Sequence, residues 1–487
     1  MDTQERTHKL GLSVPLLCAS LVAIFIGAPI IGLTGVWGFI VPGDIFPGYM
    51  KVLHAHAAWW SLVILLNALL ISSVPLKPCF RRWVIWSSFF TIPLYVSLMI
   101  GHYALAEQIP LSLGVLGTYY ISLYGILAFI IEMAFFGTTA IIALLASGSS
   151  FPAFTMPAGT HTPSRYDIIS DVVIPWDVIR TYITFLMLAV FLGMLILLQF
   201  AVQNKPVSPA GMVQFHTHIG FFSIGFLMAI MVVKAIGAND VFIALMRQFG
   251  KFSLAATTVG FVIFLLFDTH SLAWVVPAFI YFAYLVLGWI ALFGIFGKRQ
   301  NTDLHFDFVK GSLIFLWGFL FIFILMGPYL ALKYTTNSDV TITYNQPNGG
   351  EYGNHVGPYP DPKFYPGTAP NKGTPRGLEN FHLSPASWAH AGIFWLLIFL
   401  VFGKRLFGDI GKPNLVFLLA ITTAQAPLFN AIGRFSAWAN FTSLPKFPTG
   451  PGPLFLIAHP LKALTITILI VVTLVWMWKI KKSNVTK

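Results

Sequence analysis

Apolar residues gather in runs of about 20 or more, the length that carries a helix across a ~30 Å hydrocarbon core. These runs lie near 12–37, 54–75, 83–104, 112–146, 178–203, 213–236, 252–269, 271–297, 311–333, 386–403, 413–432 and 453–479. They predict an all-α integral membrane protein of about twelve transmembrane helices. The fourth run is long enough to tilt or to continue beyond the bilayer. The seventh and eighth are parted only around Asp268–His270, so counts of eleven or thirteen also fit the pattern.

Between the runs, composition breaks in two places. Residues 335–385 are rich in Asn-Gly, Pro-Gly and Tyr-Pro pairs, which punctuate loops and not helices. This stretch reads as a cap dividing helices one to nine, within 1–334, from helices ten to twelve, within 386–487. A second polar stretch, Ser147–Pro175, follows the fourth run. No segment reads as a separate soluble domain. The chain as a whole is 57% hydrophobic and 9% charged, where a soluble domain carries roughly a quarter charged residues, so the composition agrees with the runs.

The net charge of +12 raises the question of a nucleic-acid partner, and the placement of the charges answers it. Lys77, Arg81 and Arg82 follow the second run, Arg247 and Lys251 the sixth, Lys298 and Arg299 the eighth. Lys404, Arg405 and Lys412 follow the tenth, and Lys479, Lys481 and Lys482 the twelfth. With twelve spans all of them fall on one side, which the positive-inside rule makes cytoplasmic. The expectation is a multi-pass cell-membrane protein with both termini in the cytoplasm, a lipid bilayer as its main partner and no nucleic acid. The first run is too long for a typical signal peptide and is kept as a span. Cys18 lies in the first run and Cys79 in a loop, and no Cys-x-x-Cys-His is present, so any haem would be held by coordination alone.

The histidines carry the candidate chemistry. Of 13 in the chain, His8, His161, His305, His355 and His382 read as tail or loop residues. The other eight fall in or at the ends of spans: His54 and His56 open the second, His216 and His218 the sixth, His390 the tenth and His459 the twelfth, while His102 ends the third and His270 the seventh. Under the sidedness set by Lys and Arg, every one of these ends is the outer one. A histidine in a span needs an inward-facing partner, and neutral imidazole is a common metal ligand. Eight at one depth point to at least one metal or haem site, against the plainer reading of hydrogen-bonded interfacial histidines. Residues two apart on a helix point about 200° from one another, so His54 and His56 cannot share a centre, nor can His216 and His218. Short segments echo one another at three openings: Leu53-His-Ala-His-Ala-Ala-Trp-Trp60, Phe215-His-Thr-His-Ile-Gly-Phe-Phe222 and Trp388-Ala-His-Ala-Gly-Ile-Phe394. Elsewhere, Glu132 reads as a buried carboxyl or a proton relay, and Lys462 as a residue reaching outward to the interface.

On these residues the chain resembles subunit I of the haem-copper oxidase and nitric oxide reductase superfamily. Leu53-His54-Ala-His56 with Asn67-Ala-Leu looks like the second helix of a C-type oxidase, and His390 looks like the ligand of the tenth. The resemblance implies a non-covalent, b-type or related low-spin haem held by His390 with His56 or His54, and Arg434 near its propionates. It also implies copper held by His216, with His218 and His270 as further candidates. Two departures stand out: the family's tenth helix carries His-x-His where this chain has Trp388-Ala-His390, and Thr269 and Ser271 flank His270 where a histidine pair belongs. A low-spin haem is therefore favoured over an oxygen-reducing centre. The implied function is a haem-binding membrane subunit of a respiratory oxidoreductase, passing electrons at the outer face, with oxygen or nitric oxide reduction open. Its partners would be other respiratory membrane subunits and an electron donor such as a cytochrome, a cupredoxin or a quinol. The rival readings are a non-catalytic electron-transfer or assembly subunit, and a transporter that uses histidines for substrate or protons.

Overall fold

The computed structural model describes residues 6–27, 48–108, 114–157, 163–203, 207–267, 272–297, 304–334, 341–343, 376–443 and 453–483. They form twelve helices: α1 (Val14–Phe25), α2 (Gly48–Ile71), α3 (Pro78–Gln108), α4 (Gly114–Ala146), α5 (Trp176–Gln203), α6 (Ala210–Ala235), α7 (Asp240–Phe267), α8 (Leu272–Ala291), α9 (Leu304–Tyr334), α10 (Arg376–Gly408), α11 (Leu415–Ser443) and α12 (Pro453–Ser483). Each covers one of the twelve apolar runs. Eleven are long and apolar enough to cross a bilayer, α1 being shorter within the described residues. Helical architecture is what a bilayer imposes, because a helix satisfies its own backbone hydrogen bonds where no water can.

Among the eleven long spans, three form the inner part of the bundle. The spans of α2, α6 and α10 are 72%, 72% and 89% buried by the rest of the chain, whereas the others are 33–50% buried. The outer helices present large apolar side chains such as Trp86 of α3, Phe252 of α7, Val276 of α8 and Trp478 of α12. Such a surface suits lipid and would be costly in water.

The fold also contains strand pairing that hydropathy did not predict. Strand β1 (Thr7–Ser13) runs antiparallel to β2 (Asp167–Pro175), and β3 (Val207–Pro209) to β4 (Thr341–Thr343). The links between loops obey an alternation of sides. The segment before α1 pairs with the one before α5. The α2–α3 link bridges the α4–α5 link through Leu76 and Thr155, and the α6–α7 link bridges the α8–α9 link through Ala238 and Gly297. All of these fall on the side that carries the lysines and arginines, while β3 and β4 fall on the other. Ionic contacts on the basic side knit the helix ends together: Asp177 at the start of α5 accepts from Arg247 of α7 at 2.7 Å and from Lys251.

β1 is tied down by a buried histidine. His8 is buried and its Nε2 donates to the Leu70 carbonyl at 2.9 Å, and burial lowers its pKa to about 4. The neutral ring is the form that folds, so this stability is complete above the unfolded pKa near 6.5 and drains away as pH falls toward 4, by at most about 1.4 kcal/mol per pH unit. Protease cleavage within residues 6–13 is therefore expected to rise between pH 7 and pH 5. His8→Gln, which keeps a donor and cannot titrate, should flatten that rise; an unchanged pH profile in the variant would contradict the assignment.

Candidate functional site

The histidine motifs sit on the three inner helices, at the ends opposite the basic loops. Their opposed orientation follows from helix geometry and is seen directly. His54 Nδ1 donates to the Gly27 carbonyl at the end of α1, at 2.8 Å. His56, two residues on, faces Trp60, Tyr95 and His216, with ring centroids 6.2, 6.1 and 6.1 Å away. His216 leans toward α5, its Nδ1 donating to the Ala189 carbonyl at 2.6 Å. His218 points the other way, onto Trp274 of α8 with ring centroids 4.9 Å apart.

The structure pairs histidines across helices in a pattern that the sequence does not show. His56 of α2 lies beside His216 of α6, and His218 of α6 beside His382 of α10 with centroids 6.5 Å apart. His382 reads as a loop residue in the sequence, yet α10 begins at Arg376 and carries it inside the bundle. It is seated closely: a Cβ built on Gly327 of α9 would fall 2.7 Å from its Cε1. His390 lies two turns further along α10, buried, with Trp59 of α2 and Phe221 of α6 at 5.9 and 5.7 Å between centroids. Trp59 and Phe221 also touch each other, at 3.4 Å between centroids, and so fill the space between α2 and α6 beside His390. The side chain of Arg434, that of His102, and His270 altogether lie outside the described residues. Among the described residues no three histidines, cysteines or acidic residues converge in a manner that would hold a metal ion by themselves.

Four of these imidazoles share a chemical state. His216, His218, His382 and His390 each donate Nδ1–H to a backbone carbonyl: Ala189 at 2.6 Å, Gln214 at 2.8 Å, Phe323 at 2.6 Å and Ala386 at 2.8 Å. A carbonyl only accepts, so the proton must sit on Nδ1, and Nε2 is left with its lone pair. That is the tautomer and the anchoring that metal-bound histidines require. A cavity open on one side runs between α6, α8, α9 and α10 and is bordered by His218, His382 and His390 with Phe222, Trp274 and Tyr281. In donor chemistry these residues suit a haem iron.

Trp388 faces away from this cavity. Its ring meets His459 of α12 edge-on, with centroids 4.8 Å apart, and Lys462 Nζ lies 3.9 Å from its centroid. Lys462 is buried there and does not reach outward; the face of the indole supplies the partner that the sequence reading sought at the interface. Glu132 of α4 is also buried. No family model, no curated protein and no solved structure matches the chain.

Proposed function

We propose that this chain is a haem-carrying membrane subunit of respiratory type that passes electrons at the face opposite its basic loops. The observation that carries the reading is the concentration of imidazoles anchored through Nδ1 to backbone carbonyls, His216 and His218 of α6 and His382 and His390 of α10, at one end of two of the most buried spans. A polar group buried in a span is costly and is kept where it does work. His390 would hold the iron of a non-covalent, b-type or related haem, with His56 or His54 of α2 as second ligand and Arg434 near the propionates. His216, His218 and His270 are the candidates for copper. The bound haem would supply one-electron chemistry. The chain's own residues fix the ring orientation through Ala386 and exclude water with Trp59, Phe221 and Phe222.

On this reading the basic side and both termini lie in the cytoplasm of a cell-membrane protein, which the positive-inside rule supports. Its partners on this reading are other respiratory subunits and a cytochrome, cupredoxin or quinol donor. Trp388, held by His459 and Lys462, occupies the place of a second haem ligand, and an indole nitrogen donates a proton where imidazole would give a lone pair. This favours electron transfer over reduction of oxygen or nitric oxide, and the haem-copper oxidase superfamily remains the proposed kinship. The test is an extraction assay on the purified chain made with ample haem supply, with metals measured alongside. At least one acid-extractable haem per chain is expected, and a folded protein without any would overturn the proposal. Stoichiometric carbon monoxide binding together with turnover of oxygen or nitric oxide would instead show a catalytic centre.

A further inference from the structure

The cavity beside His218 has a second property. Among the described residues its lining contains no Asp, Glu, Lys or Arg, so it suits a neutral occupant. Its two walls differ. The inner wall, on α6 and α10, carries the histidines. The outer wall, on α8 and α9, includes Phe279 and Leu325, which are 44% and 45% exposed. Val276 and Ile322, beside them on the same helices, are also exposed. These are the faces that the bundle turns to lipid, so the mouth of the cavity opens sideways into the bilayer and not into water.

Two donors inside find no hydrogen-bond partner among the described residues. Tyr281 is 1% exposed and Trp274 3%, both border the cavity, and the Tyr281 hydroxyl and the Trp274 Nε1 are buried without a hydrogen-bond partner. Leaving such groups unpaired costs about 1–3 kcal/mol each, which is the mark of groups that a ligand completes. A Cβ built on Gly225 of α6 would fall 2.2 Å from the Tyr281 oxygen and 3.6 Å from His390 Nε2, so the glycine lets the Tyr281 hydroxyl seat against α6 near His390. His218 and His382, which also border the cavity, carry Nε2 lone pairs, which accept. The walls between are aromatic, with Phe222 stacked on Tyr281 at 4.0 Å between centroids.

We propose that this cavity is a binding site for a membrane-dissolved quinone or quinol, entering between α8 and α9. The class follows from the requirements. The occupant must be neutral, lipid-soluble and flat enough to lie among aromatic rings. It must also carry oxygens that accept from Tyr281 and Trp274, or donate to His218 and His382 in its reduced form. A saturated acyl chain is neutral and lipid-soluble but is neither flat nor furnished with ring oxygens. The site stands on the cavity and its unpaired donors, and it does not depend on the haem assignment.

The experiment uses the full chain in lipid nanodiscs, a decyl-substituted benzoquinone as probe and equilibrium quenching of tryptophan fluorescence as readout. Saturable binding is expected in the wild type. Tyr281→Phe should bind roughly tenfold more weakly, the equivalent of one hydrogen bond, and Ala278→Trp, which fills the cavity, should not bind detectably. Decanol, with the same chain and no ring oxygens, should compete poorly. No saturable binding to the wild type, equal affinity in Tyr281→Phe, or equal competition by decanol would each overturn the proposal. Haem is quantified in the same samples. Quinone binding at equal affinity in haem-loaded and haem-free protein supports the site and leaves the haem reading to its own assay. Mole-for-mole displacement of quinone by added haem would assign the cavity to haem and end the proposal.

Discussion

His390→Ala is expected to abolish the low-spin α band of the reduced protein, and His390→Gln, which preserves bulk and polarity, should do the same. His390 is buried in the most enclosed span of the bundle and its ring is fixed through the Ala386 carbonyl. Truncation would remove the lone pair that is proposed to hold the iron, and outer-sphere changes alone typically cost 10–100-fold in metal affinity, so loss of the ligand itself should exceed that. The glutamine variant separates ligand loss from a packing defect. His382→Ala should leave the band in place. The opposite pair of results, with the band lost from His382→Ala and kept in His390→Gln, would move the iron to the His218–His382 pair, whose rings lie 6.5 Å apart.

Asp167→Ala should loosen the β1–β2 layer by about 3 kcal/mol, the lower end of what breaking a buried pair costs. Arg81 Nη2 reaches both Asp167 oxygens, at 2.5 and 2.6 Å, and the backbone N–H of Ser164 adds a third bond at 2.9 Å. The Asp167 side chain is fully covered and that of Arg81 is 14% exposed, so removal of the carboxylate strands a guanidinium with little access to water. Burial nonetheless pushes the Asp167 carboxyl up, outweighing the lowering by Arg81. Desolvation therefore wins over attraction, and the pair adds little net stability. The double change Arg81→Leu with Asp167→Leu should then recover most of the loss. Hydrogen exchange of the β1 amides reads this directly: about 100-fold faster in Asp167→Ala, given tenfold per 1.4 kcal/mol, and within about tenfold of wild type in the double variant. Equal acceleration in both would contradict the account.

The twelve helices were legible because burial in lipid writes itself into long local runs, and the side assignment because lysines and arginines punctuate alternate ends. What was missed lay in polar or long-range features. Hydropathy begins the tenth helix at 386, but the polar segment around Glu379 and His382 is helical too, with Pro385 inside it, and so His382 was taken for a loop residue. The same holds for α7, which starts at Asp240 and not near 252, since Arg247 and Lys251 interrupt its apolarity while pairing with Asp177. β1 pairs with a strand some 160 residues away, and no local pattern encodes a partner at that distance. Within the site, the opposed faces of His54 and His56 and of His216 and His218 followed from the helix repeat. Which helices touch did not, so the His56–His216 and His218–His382 pairs appear only in three dimensions. Tyr281 and Trp274 carried no signal in the sequence, because a buried aromatic residue looks the same whether or not its polar atom finds a partner.

The central claim, that the anchored imidazoles serve a haem, is tested most directly by the visible spectrum of the purified wild-type chain, oxidised and then reduced with dithionite. The account predicts a Soret band that sharpens on reduction and a resolved α band, both little altered by carbon monoxide because two histidines would hold the iron. A folded, haem-supplied preparation with no Soret absorption in either state would contradict it.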